Sequence, residues 1–433
     1  MRKLILLLAV AITANMLYAQ GDRKTTWDAD LDFLLKELPA RHFNLFSVQS
    51  RNVFETGIST IKAEVGNLTD FQVGVKVQQL IAKFGDSHTM LNINDLIDRS
   101  QKLPFEVEWF SDGLYIVKAA AENESLLGRQ LLNVNGKPIA AVVDSLSTLV
   151  TVDNKAIVKV MIPLLFSSTQ LLEHFNFLKG NEVVVDLKSS ENGIESVKLL
   201  LLAKSEAKRL SFKPDSLAYS TWRQKTLFCD SLFRNEKLYY ILYNKCSGRE
   251  VAINTGNRDG ADRLPSFEEF ERKVLTILKE KSFDKLVFDL RNNSGGSSRQ
   301  GTMLIEKIAK FLEQNPQVTA YVVVGRQTFS SAILNAMDFK RMTKAVFVGE
   351  ETAGKPNHFG EVRSLTLPNS QVDVSYSTKY FKNIDKDMAT ITPDITLEVS
   401  FENYKQGVDP VFEWIRRQSR SGVALQYIAV DAI

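Results

Sequence analysis

"VVVGRQTFSSAILNAMDFK", residues 322–340, is the stretch on which the reading of this chain turns. Three valines form a buried-strand run and Gly325 breaks it. Two adjacent serines, Ser330 and Ser331, then stand where an apolar helical stretch begins. A serine there is a favoured helix N-cap, its oxygen accepting an N–H of the first turn. It is also a place for a nucleophile. The helix N-terminus stabilises negative charge, and the N–H of the following residue can face a developing oxyanion.

The same alternation fills the second half of the chain. "FEEFERKVLTILKEK" reads as helix, "KLVFDL" as strand, "GTMLIEKIAKFL" as helix, and "VTAYVVVG" and "KAVFVGE" as further strands. Apolar strands alternating with amphipathic helices predict a largely parallel sheet covered on both faces. Chemistry in such a sheet gathers at the loops leaving the carboxyl ends of the strands. Besides the serine loop, two of these loops are informative. "DLRNNSGGSS" carries Gly295 and Gly296, and paired glycines let backbone N–H groups turn inward as oxyanion donors. It also reads as an ordinary strand-to-helix turn, and it lacks the lysine and spacing of a phosphate loop. "GEETAGKPN" carries Lys355, a candidate general base if burial makes its amine neutral, and otherwise a solvated surface lysine.

Upstream the pattern changes. "TTWDADLDFLLKELPARH" places Trp27, Leu31, Leu34 and Leu38 on one helical face, with Pro39 expected to end the helix. "LTDFQVGVKVQQLIAKFGDSHTML" gives a second amphipathic helix, with Asp70 as its expected N-cap and Gly85 as its stop. From "LPFEVEWFSDGLYIVKA" onward, alternating apolar residues, an Asn135-Gly136 turn and a closing hairpin predict a mostly β module with one or two helices.

The opening "MRKLILLLAVAITANMLYAQ" has a basic start, an apolar run and a small-residue junction, the marks of a secretory signal peptide cleaved after Ala19. The run is shorter than the roughly 20 residues that span a bilayer. The mature protein is therefore expected to be exported, periplasmic or secreted. The chain has 54 basic and 51 acidic residues, a net charge of +3, so no basic field points to nucleic acid or a membrane surface. Cys229 and Cys246 are the two cysteines, and an oxidising compartment permits a disulfide between them as readily as two buried thiols. The four scattered histidines show no metal-ligand spacing, so no metal or other cofactor is expected.

Taken in order, "FDLRNNSGG", "TFSSA" and "VGEETAGK" resemble the serine peptidases of the C-terminal processing (tail-specific) and tricorn-core family. The resemblance covers roughly residues 205–410 and puts that family's nucleophile on Ser330 and its base lysine on Lys355. "GDSHTML" resembles the segment that supplies the base histidine in the tricorn branch, which would make His88 the base and Ser87 its auxiliary. Two departures bear on that choice: Ile333 stands where processing peptidases carry a glutamate, and Pro356 rather than glycine follows Lys355. "LLGRQLLNVNGKPI" looks like the strand and turn of a PDZ-like module, although no clear carboxylate-binding loop accompanies it.

The resemblance implies a multidomain α+β chain: signal peptide 1–19, N-terminal helical domain 20–102, PDZ-like β-rich module 103–203, α/β (ClpP/crotonase-like) catalytic domain 204–418 and tail 419–433. It implies an exported serine-type endopeptidase acting on peptides or unfolded proteins through a Ser330 acyl-enzyme. The N–H groups of Ser331 and of Gly295 or Gly296 would serve as oxyanion hole. A catalytically silent peptide- or apolar-ligand-binding relative and a serine esterase are the alternatives, because fold alone does not settle function.

Overall fold

The computed structural model describes residues 23–151, 154–188, 193–204, 208–280 and 282–418. The expected signal peptide and the tail 419–433 lie outside the described residues. The chain divides into two compact units, Met1–Lys213 with Ala353–Ile391, and Pro214–Thr352 with Thr392–Ile433. Residues 353–391, assigned from the sequence to the C-terminal part, thus belong to the first unit.

The first unit opens with a helix over 23–41 that buries Trp27, Leu31, Leu34 and Leu38. It runs through Pro39 rather than ending there. The helix Asp70–Ile81 is capped by Thr69, not Asp70: Thr69 and Gln72 form a reciprocal capping box. Asp70, one position inside, instead accepts hydrogen bonds from Arg23 and Trp27. Gly85 stops the following turn in a left-handed conformation, φ 76°, as the sequence suggests.

The β-rich part holds a hairpin, Phe105–Phe110 with Gly113–Ala120, and a four-stranded sheet in the order Lys137–Pro138, Leu131–Val134, Glu182–Lys188, Ile194–Leu200. The Asn135-Gly136 turn has φ 48° and 72°, the left-handed pair a tight hairpin requires. Three helices, Ile139–Ser147, Lys155–Phe166 and Thr169–His174, accompany these strands where one or two were expected. A single apolar cluster joins Phe54 and Val77 of the helices to Phe105, Val134 and Leu187 of the strands, so the core is continuous across residue 102. The excursion 353–391 adds a hairpin, His358–Thr366 with Asp373–Phe381. It pairs antiparallel with Met90–Leu91 and contributes Leu365, Leu367, Val372, Val374 and Tyr376 to that core.

The second unit is built on a six-stranded sheet in the order Phe228–Phe233, Leu238–Tyr243, Lys285–Asp289, Thr319–Val324, Val346–Gly349, Ile395–Thr396. The first pair is antiparallel and the rest are parallel. Leu238–Tyr243 and Lys285–Asp289 are buried along their whole length, as the central strands of a sheet covered on both faces should be. The helices Ser298–Gln314 and Ser331–Met342 follow the third and fourth strands. The loops that aim them, 290–297 and 325–330, leave the carboxyl ends of adjacent strands.

Candidate active site

Ser330 is the N-cap of the helix Ser331–Met342, yet its side chain makes no capping hydrogen bond. Its backbone lies at φ 54°, ψ −126°, a region in which a residue with a Cβ is strained. The turn is held on both sides. The buried Thr328 hydroxyl donates to Leu290 O at 2.9 Å and accepts the Gly325 N–H at 3.0 Å, while the Phe329 N–H donates to Asn293 O at 3.1 Å. Ser330 thus stands at a helix start in a strained backbone conformation, with a hydroxyl that does not cap the helix.

The Gly295-Gly296 turn lies against it. A Cβ on Gly295 would come within 2.8 Å of Ser330 Cβ and 3.1 Å of Ser331 N. One on Gly296 would strike Cys246 O at 2.2 Å. Both glycines have positive φ, 102° and 134°, so this turn requires glycine twice over. The N–H groups of the two glycines are not equivalent. The Gly295 N–H is buried and donates to Asn293 Oδ1 at 2.9 Å, whereas Gly296 is exposed. The Ser331 hydroxyl donates to Gly296 O at 2.7 Å and fixes that peptide plane. Among the described residues no acceptor takes the N–H of Gly296 or of Ser331.

Asn293, to which the sequence reading gave no role, is the bracket behind this loop. It is fully buried, holds the Gly295 N–H with its oxygen and donates its amide to Tyr243 O at 2.8 Å. Neighbouring Arg291 is anchored by Asp289, Asp409 and the Tyr240 hydroxyl. Of the two alternatives open for the cysteines, the structure shows free thiols at both Cys229 and Cys246. Cys229 faces Leu242 across the first strand pair, whereas Cys246 lies beyond the end of that ladder with its thiol turned to Asn293 and Asn335. Burial pushes the Cys246 thiol up to about 12 and raises Cys229 as well, so neither is a reactive thiolate.

In the first unit, Ser87, His88 and Lys355 line one pocket of about 300 Å³ together with Asp86, His358, Phe359 and Asp387. Both candidate bases therefore border the same pocket. Lys355 Nζ is 3.3 Å from Asp387 Oδ2. His88 is backed by Asp86, which accepts its backbone N–H at 2.9 Å and lies 3.7 Å from its Nδ1. Burial alone would raise the Asp86 pKa. Hydrogen bonds from His42, His88, Thr89 and Ser377 outweigh that and hold the carboxyl well below the usual range. His358 stacks on His88 with ring centres 6.1 Å apart, and burial, followed by the charge of His88, lowers it to about 4. Its ring is neutral at physiological pH. Among the described residues no group of three or more His, Cys, Asp or Glu is arranged to hold a metal ion, and no helix is long and apolar enough to cross a membrane.

No family model and no curated protein sequence matches this chain. Solved structures do. Mature CPAF complexed with lactacystin aligns over 90% of this chain and 97% of its own, with 13% identity and a TM-score of 0.63. A serine-to-alanine mutant of CPAF aligns over 92% and 98%, with 14% identity and a TM-score of 0.60. The photosystem II D1 C-terminal processing protease aligns over 91% and 98% at 13% identity, with a TM-score of 0.40. At these identities the likeness defines the fold: a mixed α+β chain with N-terminal helices and several small sheets. That fold is shared, over nearly the whole of both chains, with CPAF.

Proposed function

We propose that this chain is an exported serine-type endopeptidase that cleaves peptide bonds through an acyl-enzyme on Ser330, with His88 as general base. The observation that carries the reading is the Ser330 backbone, φ 54° and ψ −126°, at a helix start that its hydroxyl does not cap. Strain of this kind costs about 1–3 kcal/mol and persists where surrounding structure enforces it, characteristically at catalytic residues. His88 is preferred to Lys355 because Asp86 stands behind its Nδ1 while Lys355 is paired with Asp387. In this reading residues 103–203 are a PDZ-like module and the six-stranded unit is the ClpP/crotonase-like catalytic core.

The reaction follows from the roles. Ser330 Oγ attacks the peptide carbonyl as His88 Nε2 takes its proton. The N–H groups of Ser331 and Gly296 hold the tetrahedral oxyanion, and the dipole of the helix Ser331–Met342 adds to that field. His88 returns the proton to the leaving amine. Water, deprotonated by the same ring, then hydrolyses the acyl-enzyme and releases Ser330. Ser87, next to the base on the pocket wall, is the auxiliary hydroxyl.

Titration with a fluorophosphonate probe across roughly pH 6 to 10 separates histidine from lysine as base. Labelling that disappears in Ser330→Ala, with a midpoint near neutrality, is expected. A midpoint at higher pH would move the base to Lys355. An unlabelled protein that also leaves a peptide library uncut would sink the peptidase reading in favour of a binding protein, and a labelled protein that turns over esters alone would make it an esterase. Export is checked separately by N-terminal sequencing of the secreted chain, which should begin at Gln20.

A further inference from the structure

His42 takes no part in the sequence motifs or in the proposed mechanism. Its side chain is 1% exposed and lies behind the pocket wall, packed on Phe359 with ring centres 5.2 Å apart. The backbone N–H of Asn44 donates to His42 Nδ1 at 3.0 Å. A backbone N–H has no acceptor capacity, so Nδ1 must present its lone pair and the neutral ring must carry its proton on Nε2. That nitrogen is 3.0 Å from Asp86 Oδ2. The Thr89 hydroxyl donates to the same oxygen at 2.5 Å. Asp86 Oδ1, the other oxygen, takes the His88 backbone N–H and faces the His88 ring.

We infer that His42 is a positioning residue for His88: fixed as the Nε2–H tautomer, it pins the Asp86 carboxylate so that the opposite oxygen is aimed at His88 Nδ1. This role rests on the one proposed for His88 and names the groups that keep that ring in register. A carboxylate shared by two imidazoles cannot rotate without losing the Nε2–H bond of one and the backbone bond of the other. His42 cannot flip without losing both of its partners. With Asp86 ionised and held this way, His88 carries its proton on Nδ1 and presents the lone pair of Nε2 as acceptor. The gap of 3.7 Å at His88 Nδ1 is the kind of long contact that closes when substrate loads a site. The other titratable groups on the His88 side are His358, Lys355, Tyr380 and Asp387, and on the His42 side, among the described residues, Asp86 alone makes a charged contact with the ring.

The test reads the tautomers directly, by long-range proton–nitrogen spectra of the mature chain with labelled histidine at neutral pH. His42 is expected with its proton on Nε2 and His88 with its proton on Nδ1. In His42→Phe the His88 ring should become a mixture of tautomers, and in His42→Gln, whose amide can still donate to Asp86, it should stay on Nδ1. Fluorophosphonate labelling should slow about tenfold to a hundredfold in the Phe variant, with a displaced pH profile, and recover in the Gln variant. A His42 proton found on Nδ1, or a His88 tautomer indifferent to His42→Phe in a cooperatively melting variant, overturns the inference. Should His42→Phe fail to fold, the wild-type tautomers and the Gln variant still decide it. If the wild-type chain is never labelled, the peptidase reading fails by itself, and the spectra still decide whether His42 orients Asp86 and the His88 ring.

Discussion

Ser330 adopts a backbone conformation that costs an alanine as much as a serine and a glycine almost nothing. Ser330→Gly should therefore be more stable than Ser330→Ala by about 1 kcal/mol in urea denaturation, with both devoid of labelling. Equal stabilities would mean that the turn relaxes and stores no strain. His358 makes a pH-dependent contribution whose sign is fixed by burial. Its pKa falls from an ordinary 6.5 to about 4 in the folded chain, so the neutral ring stabilises fully above the first value. That stability is lost as pH drops toward the second, roughly 3 kcal/mol in all. The urea midpoint of wild type should fall over this window more steeply than that of His358→Gln. His174, also lowered by burial, is common to both proteins and cancels in the difference.

Two elements, the loops after the third and fourth strands of the six-stranded sheet, act as one device. The Cys246 backbone clamps the glycine turn on one side, accepting from the Ser297 N–H at 2.7 Å and donating to Gly295 O at 3.1 Å, while the Ser331 hydroxyl holds Gly296 O on the other. Gly296→Ala has no room, because its Cβ would lie 2.2 Å from Cys246 O at a φ of 134°. On the proposed mechanism labelling should drop by about a hundredfold or more, the usual loss for one oxyanion donor, and thermal stability should fall with it. Asn293→Ala should destabilise by about 1–3 kcal/mol per orphaned group, since the Gly295 N–H and Tyr243 O both lose their partner. An Asn293→Ala chain with wild-type melting and labelling would show that the loop holds itself. The pairing of glycines with a serine turn is legible in "RNNSGGSS" and "TFSSA". The inequality of the two glycine N–H groups is not, because it depends on where one buried asparagine points.

For the molecule as a whole, the division into units does not follow the order of the chain. The fragment 1–213 lacks the hairpin His358–Thr366 with Asp373–Phe381, the strand partner of Met90–Leu91 and the source of Val374 and Tyr376 in the core. Expressed alone, it should be more readily cleaved by a protease and melt at lower temperature than a version with residues 353–391 joined on. Indistinguishable melting of the two would mean that the excursion is dispensable to the first unit.

The sequence by itself determined the alternation of strand and helix after residue 204, the two-residue turn at Asn135-Gly136, the stop at Gly85 and the placement of the candidate serine at a helix start. These are local: they follow from apolar period, from glycine's access to positive φ and from the capping position, all of which reside in neighbouring residues. The helix cap at Thr69 rather than Asp70 is also local, and the pattern is ambiguous there only because two good capping residues are adjacent. Tertiary structure alone decided what requires distant residues to meet. Whether Ser330 caps or stays uncommitted depends on brackets from Leu290 and Asn293. Whether the cysteines join depends on strand register. The tautomer of His42 and the company kept by His88 and Lys355 depend on a pocket assembled from residues 43–88 and 355–387, segments far apart in the chain, and no local pattern records that meeting.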